Sequence, residues 1–200
     1  MTAFIHQSLP LPNPFVIFTN NHGKIKEISQ ILGNAISYLD LHPIPINIEE
    51  TGKSFEENAL LKVNALSFLK HHIGIADDSG LEVNALQKRP GIYSARYAGP
   101  SATDQERCEK LLLELKDLPD RSAQFVCVIA IRLENGQNKI FKGILEGHIS
   151  DTPLGKNGFG YDPIFIPKGF SKTMAELDPS IKNKISHRYL ALIQAKHSFI

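Results

Sequence analysis

Apolar residues along the chain follow two periods, and each change of period marks an element. Phe15-Val-Ile-Phe-Thr19 is a continuous β-rich apolar run, and the polar Asn20-Asn-His-Gly23 follows it. From Lys24 to Leu32 the residues Ile25, Ile28, Ile31 and Leu32 recur at helical spacing, so strand, loop and helix are expected in that order. Ser54-Phe-Glu-Glu57 has capping-box spacing, and Phe55, Ala59, Val63 and Leu66 carry one apolar face on to about Lys70, which predicts a long helix. Ile73 to Asp77 reads as a buried strand ending in an acidic turn, Asp77-Asp78-Ser79-Gly80, with Leu81 to Val83 beginning another strand. Thr103-Asp-Gln-Glu106 is a second capping box, opening a helix that buries Leu111, Leu112 and Leu115 and stops near Pro119.

Beyond Pro119 the period shortens to that of strands. Phe125 to Leu133 and Lys139 to Ile149 are β-rich runs joined by Glu134-Asn-Gly-Gln, a hairpin turn, and Asp162 to Ile166 predicts a third strand. A Gly-rich loop, Leu154 to Gly160, links them. A polar segment then leads to Ser186, the expected cap of a last helix through Ala195. The order is mixed α and β without a strict βαβ repeat, and no linker is long enough to separate independent domains. Residues 15–200 are therefore read as one unit, and residues 1–14, interrupted by Pro10, Pro12 and Pro14, as an amino-terminal extension.

Composition narrows the function. Apolar residues make up 42% of the 200-residue chain, enough for a sizeable core. A formal net charge of +1 provides no general field for gripping a nucleic-acid backbone, so phosphate recognition must be local. Cys108 and Cys127 both lie in apolar periodic segments, which indicates neither a disulfide framework nor a thiolate metal site and fits a reducing cytoplasm. No apolar run approaches the ~18 residues of a membrane span, so a soluble protein without a membrane partner is expected.

Three places carry candidate chemistry. Thr19-Asn-Asn-His-Gly-Lys24 joins a buried strand to a helix amino terminus, where free N–H groups and the helix dipole favour an anion. It lacks the P-loop pattern, and such a loop taken alone is more often a plain turn. Asp77-Asp78 places two carboxylates beside an apolar strand, where something cationic must compensate them. Glu49, Glu50, Glu56 and Glu57 could converge with them on one Mg2+, although Glu57 could equally serve only as the partner of Ser54. His187 and Arg188 follow the helix cap, near Lys182 and Lys184, as donors for an anion or for base carbonyls; a solvated basic helix end is the plainer account. Neither a zinc motif nor a serine-hydrolase elbow is present.

Six segments occur in an order that resembles the inosine triphosphate pyrophosphatase family. They are Phe15 to Lys24, Glu49 to Ala59, Ile75-Ala-Asp-Asp-Ser-Gly-Leu81, Pro90 to Gly99, Gly158-Phe-Gly-Tyr-Asp-Pro163 and Ile185-Ser-His-Arg188. The resemblance implies an elongated α/β fold of two lobes about a central mixed sheet, with a substrate cleft between the lobes, and a homodimer. It implies hydrolysis of ITP, dITP and XTP to the monophosphate and pyrophosphate, with Mg2+ as cofactor and no nucleic-acid partner. Residue by residue, the triphosphate loop falls on Thr19, Asn20, Asn21, His22, Gly23 and Lys24, the general base on Asp78, and the metal positions on Glu49 and Asp78. Substrate contacts fall on Lys62, Ser79, Phe159, Gly160, Tyr161, Asp162, Lys182, His187 and Arg188. Asn20 departs from the family, which has Gly there. A pyrophosphatase of pyrimidine or modified nucleotides and a non-catalytic nucleotide-binding module are the competing readings.

Overall fold

Phe15–Phe18 (β1) is buried at every position because it lies inside a sheet covered on both faces, and this is why its sequence is apolar throughout rather than alternating. The structure, a computed structural model, describes residues 15–42, 48–68 and 72–198. The extension read over residues 1–14 lies outside the described residues.

After β1 the chain forms α1 (His22–Leu32), β2 (Ala35–Ser37), α2 (Tyr38–Leu41), α3 (Phe55–Asn64), β3 (Ile73–Val83), α4 (Asp104–Glu114), β4 (Ser122–Arg132), β5 (Asn138–Ile149), β6 (Phe165–Pro167), α5 (Pro179–Ile185) and α6 (His187–His197). The strands form one six-stranded sheet in the order β2-β1-β3-β4-β5-β6. β1 pairs in parallel with β2 and β3, and the remaining pairs are antiparallel, so the sheet is mixed as expected.

Two cores share the first half of the long strands. On one face Phe55, Ala59 and Val63 of α3 pack on Val16, Phe18, Ala76, Val126 and Val128. On the other, Ile28 of α1 and Ala191, Leu192 and Ala195 of α6 pack on Ile17, Ile75, Cys127 and Ile129. Further along, Leu81, Val83, Phe125 and Ile149 enter a third core with Leu111 and Leu115 of α4 and Ile164, Phe165 and Met174. These are the two lobes. Asp77 to Gly80 lies in the stretch of β3 where one set of cores gives way to the other.

That placement corrects the reading of an acidic turn. β3 is a single strand of eleven residues, paired without a break from Gly74↔Arg132 to Val83↔Ala123. The ladder with β4 supplies partners for the backbone of Asp77, Asp78 and Ser79, so the polar side chains do not end the strand. Three other expectations change. The helix opened by Ser54 ends at Asn64 instead of near Lys70, because the bonds Leu66 N to Val63 O and Ser67 N to Asn64 O tighten the chain into turns; Leu66 stays buried, which is why the apolar period ran on. The third strand is Phe165–Pro167, preceded by a 3-10 turn over Asp162–Ile164. The polar segment before Ser186 is helical as α5, capped by Asp178 with Pro179 in its first turn.

Glu56 and Glu57 do not reach the acidic cluster. Glu56 pairs with Lys142 Nζ at 3.0 Å, and the Glu57 carboxylate accepts from the Lys53 N–H at 2.6 Å, while Ser54 Oγ accepts from the Glu57 N–H. The capping box at Thr103 and Glu106 forms in full.

Candidate active site

At the end of β1 the loop is organised by its own side chains. Thr19 Oγ1 accepts from the Asn21 N–H, and Asn21 Oδ1 caps α1 by accepting from the Lys24 N–H at 3.1 Å. The first N–H groups of α1 have no partner within the helix and face the anion-binding end. Gln87 and Lys88 are the non-glycine residues with positive φ among those described, so Asn20 holds its position without the left-handed backbone that would favour Gly. Asn20 and His22 are exposed, whereas Gly23 and Lys24 are half-buried.

The two aspartates of β3 point into different surroundings. Asp77 is buried, and its Oδ2 is shared by Lys24 Nζ at 3.0 Å, the Arg188 guanidinium at 3.2 Å and Ser79 Oγ at 3.2 Å. Burial alone would raise its carboxyl, but Lys24, Arg188 and Lys62 outweigh that and hold it well below the usual range. Asp78 Oδ1 accepts from Lys62 Nζ at 2.8 Å and Oδ2 from Asn58 Nδ2 at 3.3 Å. Here burial prevails and pushes the carboxyl up despite Lys62. The two carboxylates are thus driven apart, Asp77 held as an anion and Asp78 the more readily protonated.

Gly80 follows because the 3-10 turn over Gly91–Arg96 crosses the strand there. A Cβ on Gly80 would meet the Gly91 carbonyl oxygen and lie 2.5 Å from Ser94 Oγ, which in turn accepts from the Leu81 N–H.

From Asp77 a chain of buried charges runs across the cleft. Arg188, 1% exposed, bonds Glu27 as well as Asp77, and its Nη2 donates to Ser79 Oγ at 3.0 Å. Glu27 also holds Lys182 Nζ at 3.0 Å, and Lys182 holds Asp162 at 2.6 Å. Asp162 accepts from the Phe159 N–H at 2.9 Å, which fixes the Gly-rich loop; Gly158 has room for no Cβ because the Asp162 carboxylate occupies that space. Burial opposes the charge on Glu27, but Arg188 and Lys182 bring its carboxyl down to about 2. The His187 ring stacks on Phe125 at 4.7 Å, and burial followed by the nearby Arg188 charge takes it down to about 3, so it is neutral.

These residues line two adjoining cavities that share Asn21, Lys24, Glu50 and Ala95. Thr19, Asn20 and Lys62 line one end. Phe125, Phe159, Gly160, Tyr161, Asp162, Lys182, His187 and Arg188 line the other, with Asp78 and Ser79 between. The cleft is therefore charged at one end and aromatic at the other.

Most of the residues expected from sequence meet here, with two changes. Glu49 is exposed, and its neighbour Glu50 enters the cleft, 2.7 Å from Lys62 Nζ. The Arg188 guanidinium is enclosed by Glu27, Asp77 and Ser79 and serves first as the bracket between α6, α1 and β3. Sequence reading missed Glu27, Asn58, Asp104 and Arg107, and named Glu50 only as one of four glutamates that could reach a metal. A signal existed for Glu27: it shares the helical stripe of Lys24, Ile28 and Ile31, where a carboxylate must have a buried partner.

The acidic residues fit a divalent ion. The Lys62 ammonium already lies between Asp78 Oδ1 and Glu50 Oε1, so these carboxylates converge on a cation. The cleft also carries as many carboxylates (Glu27, Glu50, Asp78, Asp104, Asp162) as cations (Lys24, Lys62, Arg107, Lys182, Arg188), so a polyanionic ligand needs further positive charge.

Comparison with known proteins bears on the family and the fold. The sequence model of the Ham1 family matches residues 15–198. The dITP/XTP pyrophosphatase of Oceanobacillus iheyensis is 50% identical over 185 residues, covering 90% of this chain and 94% of that one. The solved structure of the Staphylococcus aureus Ham1 protein superposes with a TM-score of 0.84 at 46% identity, over 94% of this chain and 98% of the other. That of a HAM1 protein from Coxiella burnetii gives 0.81 at 43% identity, with the same coverage. With its two-lobed mixed sheet, its paired aspartates at the lobe junction and these relatives, the chain belongs to the Ham1 family.

Proposed function

We propose that the protein hydrolyses non-standard purine nucleoside triphosphates, ITP, dITP and XTP, to the monophosphate and pyrophosphate. The observation that carries this reading is the place of Asp78: a buried carboxylate held by Lys62 and Asn58, set between a helix amino terminus with two lysines and an aromatic pocket. The name dITP/XTP pyrophosphatase borne by the relatives supports the choice of substrate.

The triphosphate lies along Thr19 to Lys24, where the α1 amino terminus, Lys24 and Lys62 offset its charge. Asp78 accepts a hydrogen bond from the water that attacks the α-phosphorus and takes its proton as the bond to pyrophosphate breaks. Lys62 and Asn58 hold both oxygens of Asp78, so its orientation is set before substrate arrives. Asp78 and Glu50 would hold Mg2+, which would supply positive charge to the phosphate oxygens and the leaving group. Among the described residues no three acidic, His or Cys side chains form a complete metal site, so phosphate oxygens would complete the shell.

At the other end the purine enters between Phe159, Tyr161 and His187, with Lys182 as donor to its 6-keto oxygen. Adenine presents an amino group there and leaves that donor unpaired, which a buried site penalises. The family resemblance adds a homodimer working on the cytoplasmic nucleotide pool, which sedimentation and cell fractionation would check. No helix among the described residues is long and apolar enough to cross a membrane.

Pyrophosphate and orthophosphate are to be measured with ITP, dITP, XTP, GTP and ATP, with Mg2+ and with a chelator. Pyrophosphate release from ITP, dITP and XTP only with Mg2+, and a loss of about 10³-fold in Asp78→Asn, are expected. Orthophosphate as product, or ATP as best substrate, would overturn the reading.

A further inference from the structure

Arg107 lies in the first turn of α4 and lines the aromatic end of the cleft, yet the reaction described above gives it no task. Its side chain is largely buried and held by three acceptors. Nη1 donates to the carbonyls of Ala95 at 3.0 Å and Ala102 at 2.5 Å, and Nη2 donates to Asp104 Oδ1. Asp104 Oδ2 accepts from the Gly160 N–H at 2.7 Å, and Tyr161 Oη donates to the Ser94 carbonyl at 2.9 Å. The guanidinium is therefore fixed in a wall that also holds the loop beneath the purine. Both Nη1 hydrogens are used. The Nε–H and one Nη2–H have no partner among the described residues.

A fixed guanidinium can only donate. The purines that share a 6-keto oxygen differ at C2, where xanthine carries an oxygen, hypoxanthine a hydrogen and guanine an amino group. With the phosphates on Thr19 to Lys24 and the 6-keto edge toward Lys182 and His187, we assign the C2 edge to the α4 wall, where Arg107 lines the same cavity as those two residues. We propose that Arg107 reads the C2 edge of the purine, donating to the 2-keto oxygen of xanthine, tolerating the hydrogen of hypoxanthine and rejecting the amino group of guanine. An amino group there sets donor against donor and strips water from a charge that gains nothing in return. This rests on the reading of the site as a purine triphosphate pyrophosphohydrolase.

The test is kcat/KM for XTP, ITP and GTP in the wild type, Arg107→Gln and Arg107→Lys, with thermal melting to check folding. The wild type is expected to rank XTP and ITP above GTP. Gln offers an acceptor to the guanine amino group, so Arg107→Gln should raise the GTP to XTP ratio by roughly tenfold or more while ITP changes by less than about threefold. Arg107→Lys keeps the charge and the donors, and should retain the rejection of GTP. An equal fall for all three substrates in Arg107→Gln would show a purely structural role and overturn the proposal, as would an unchanged ratio. If the variants do not fold, the wild type decides: GTP turned over as fast as XTP overturns it. A wild type inert on all three substrates would instead remove the reading of the site; pyrophosphate release with an unchanged ratio removes only the role of Arg107.

Discussion

Asp77 and Asp78 show how far environment separates two identical side chains one peptide apart. Strand geometry turns them to opposite faces, so Asp77 meets Lys24 and Arg188 from the helices on one side and Asp78 meets Lys62 and Asn58 from α3 on the other. Glu27 is the hinge of the same network, since it balances both Arg188 and Lys182. Glu27→Gln leaves two buried cations short of counter-charge and should cost about 3 kcal/mol in urea unfolding at pH 7. Its folded carboxyl lies near 2 against an ordinary value of 4.5. A depressed carboxyl contributes stability that is present above its unfolded value and lost as pH falls through its folded one. The gap between wild type and variant should therefore narrow between pH 4.5 and about 2; a gap constant over that range would contradict the pairing.

Among the elements, β3 carries the most. It has no break at Asp77 because its neighbour β4 pairs with it across the whole acidic stretch, and the Gly91–Arg96 turn crosses it closely at Gly80. Gly80→Ala should push the Gly91–Arg96 turn away, break the bond from Leu81 to Ser94, and cost roughly 1–3 kcal/mol by denaturant melts. Activity should fall as well, since Ser94 and Ala95 line the cleft. Little of this was legible beforehand. Polar residues followed by Gly read as a turn because local preference is all that a short window contains, and the ladder that overrides it is 46 to 52 residues away, from Gly80↔Val126 to Asp77↔Ile129. By contrast the helix beginning at Asp104 was legible to the residue at its start, because Thr103 and Glu106 satisfy its first N–H groups locally.

At the scale of the whole molecule, the cleft exists because long strands pass from one pair of cores into a third, and polar side chains can be kept where the cores part. His187 sits at that junction, stacked on Phe125, and its imidazole is held neutral by burial and by Arg188. Its folded value near 3 lies below the ordinary 6.5, so the unfolded chain binds the extra proton and His187 opposes folding as pH falls below about 6.5. An NMR titration of the imidazole should show no protonation of His187 between pH 8 and 5, whereas an exposed histidine would titrate across that range.

The sequence by itself determined the class of elements, the chemistry available and, through six ordered motifs, the family, because periodicity, capping and loop composition act over a few residues. Through the family resemblance it also grouped the Thr19 to Lys24 loop, Asp78 and the Phe159 to Asp162 run, which line adjoining cavities. Only the tertiary structure decided which of two aspartates is balanced and which is more readily protonated, that Glu50 and not Glu49 faces Lys62, that Glu27 and Arg107 line the cleft, and that Asn58 holds Asp78. Those outcomes depend on burial and on charges brought together from distant segments, and neither quantity exists until the sheet has closed its cores.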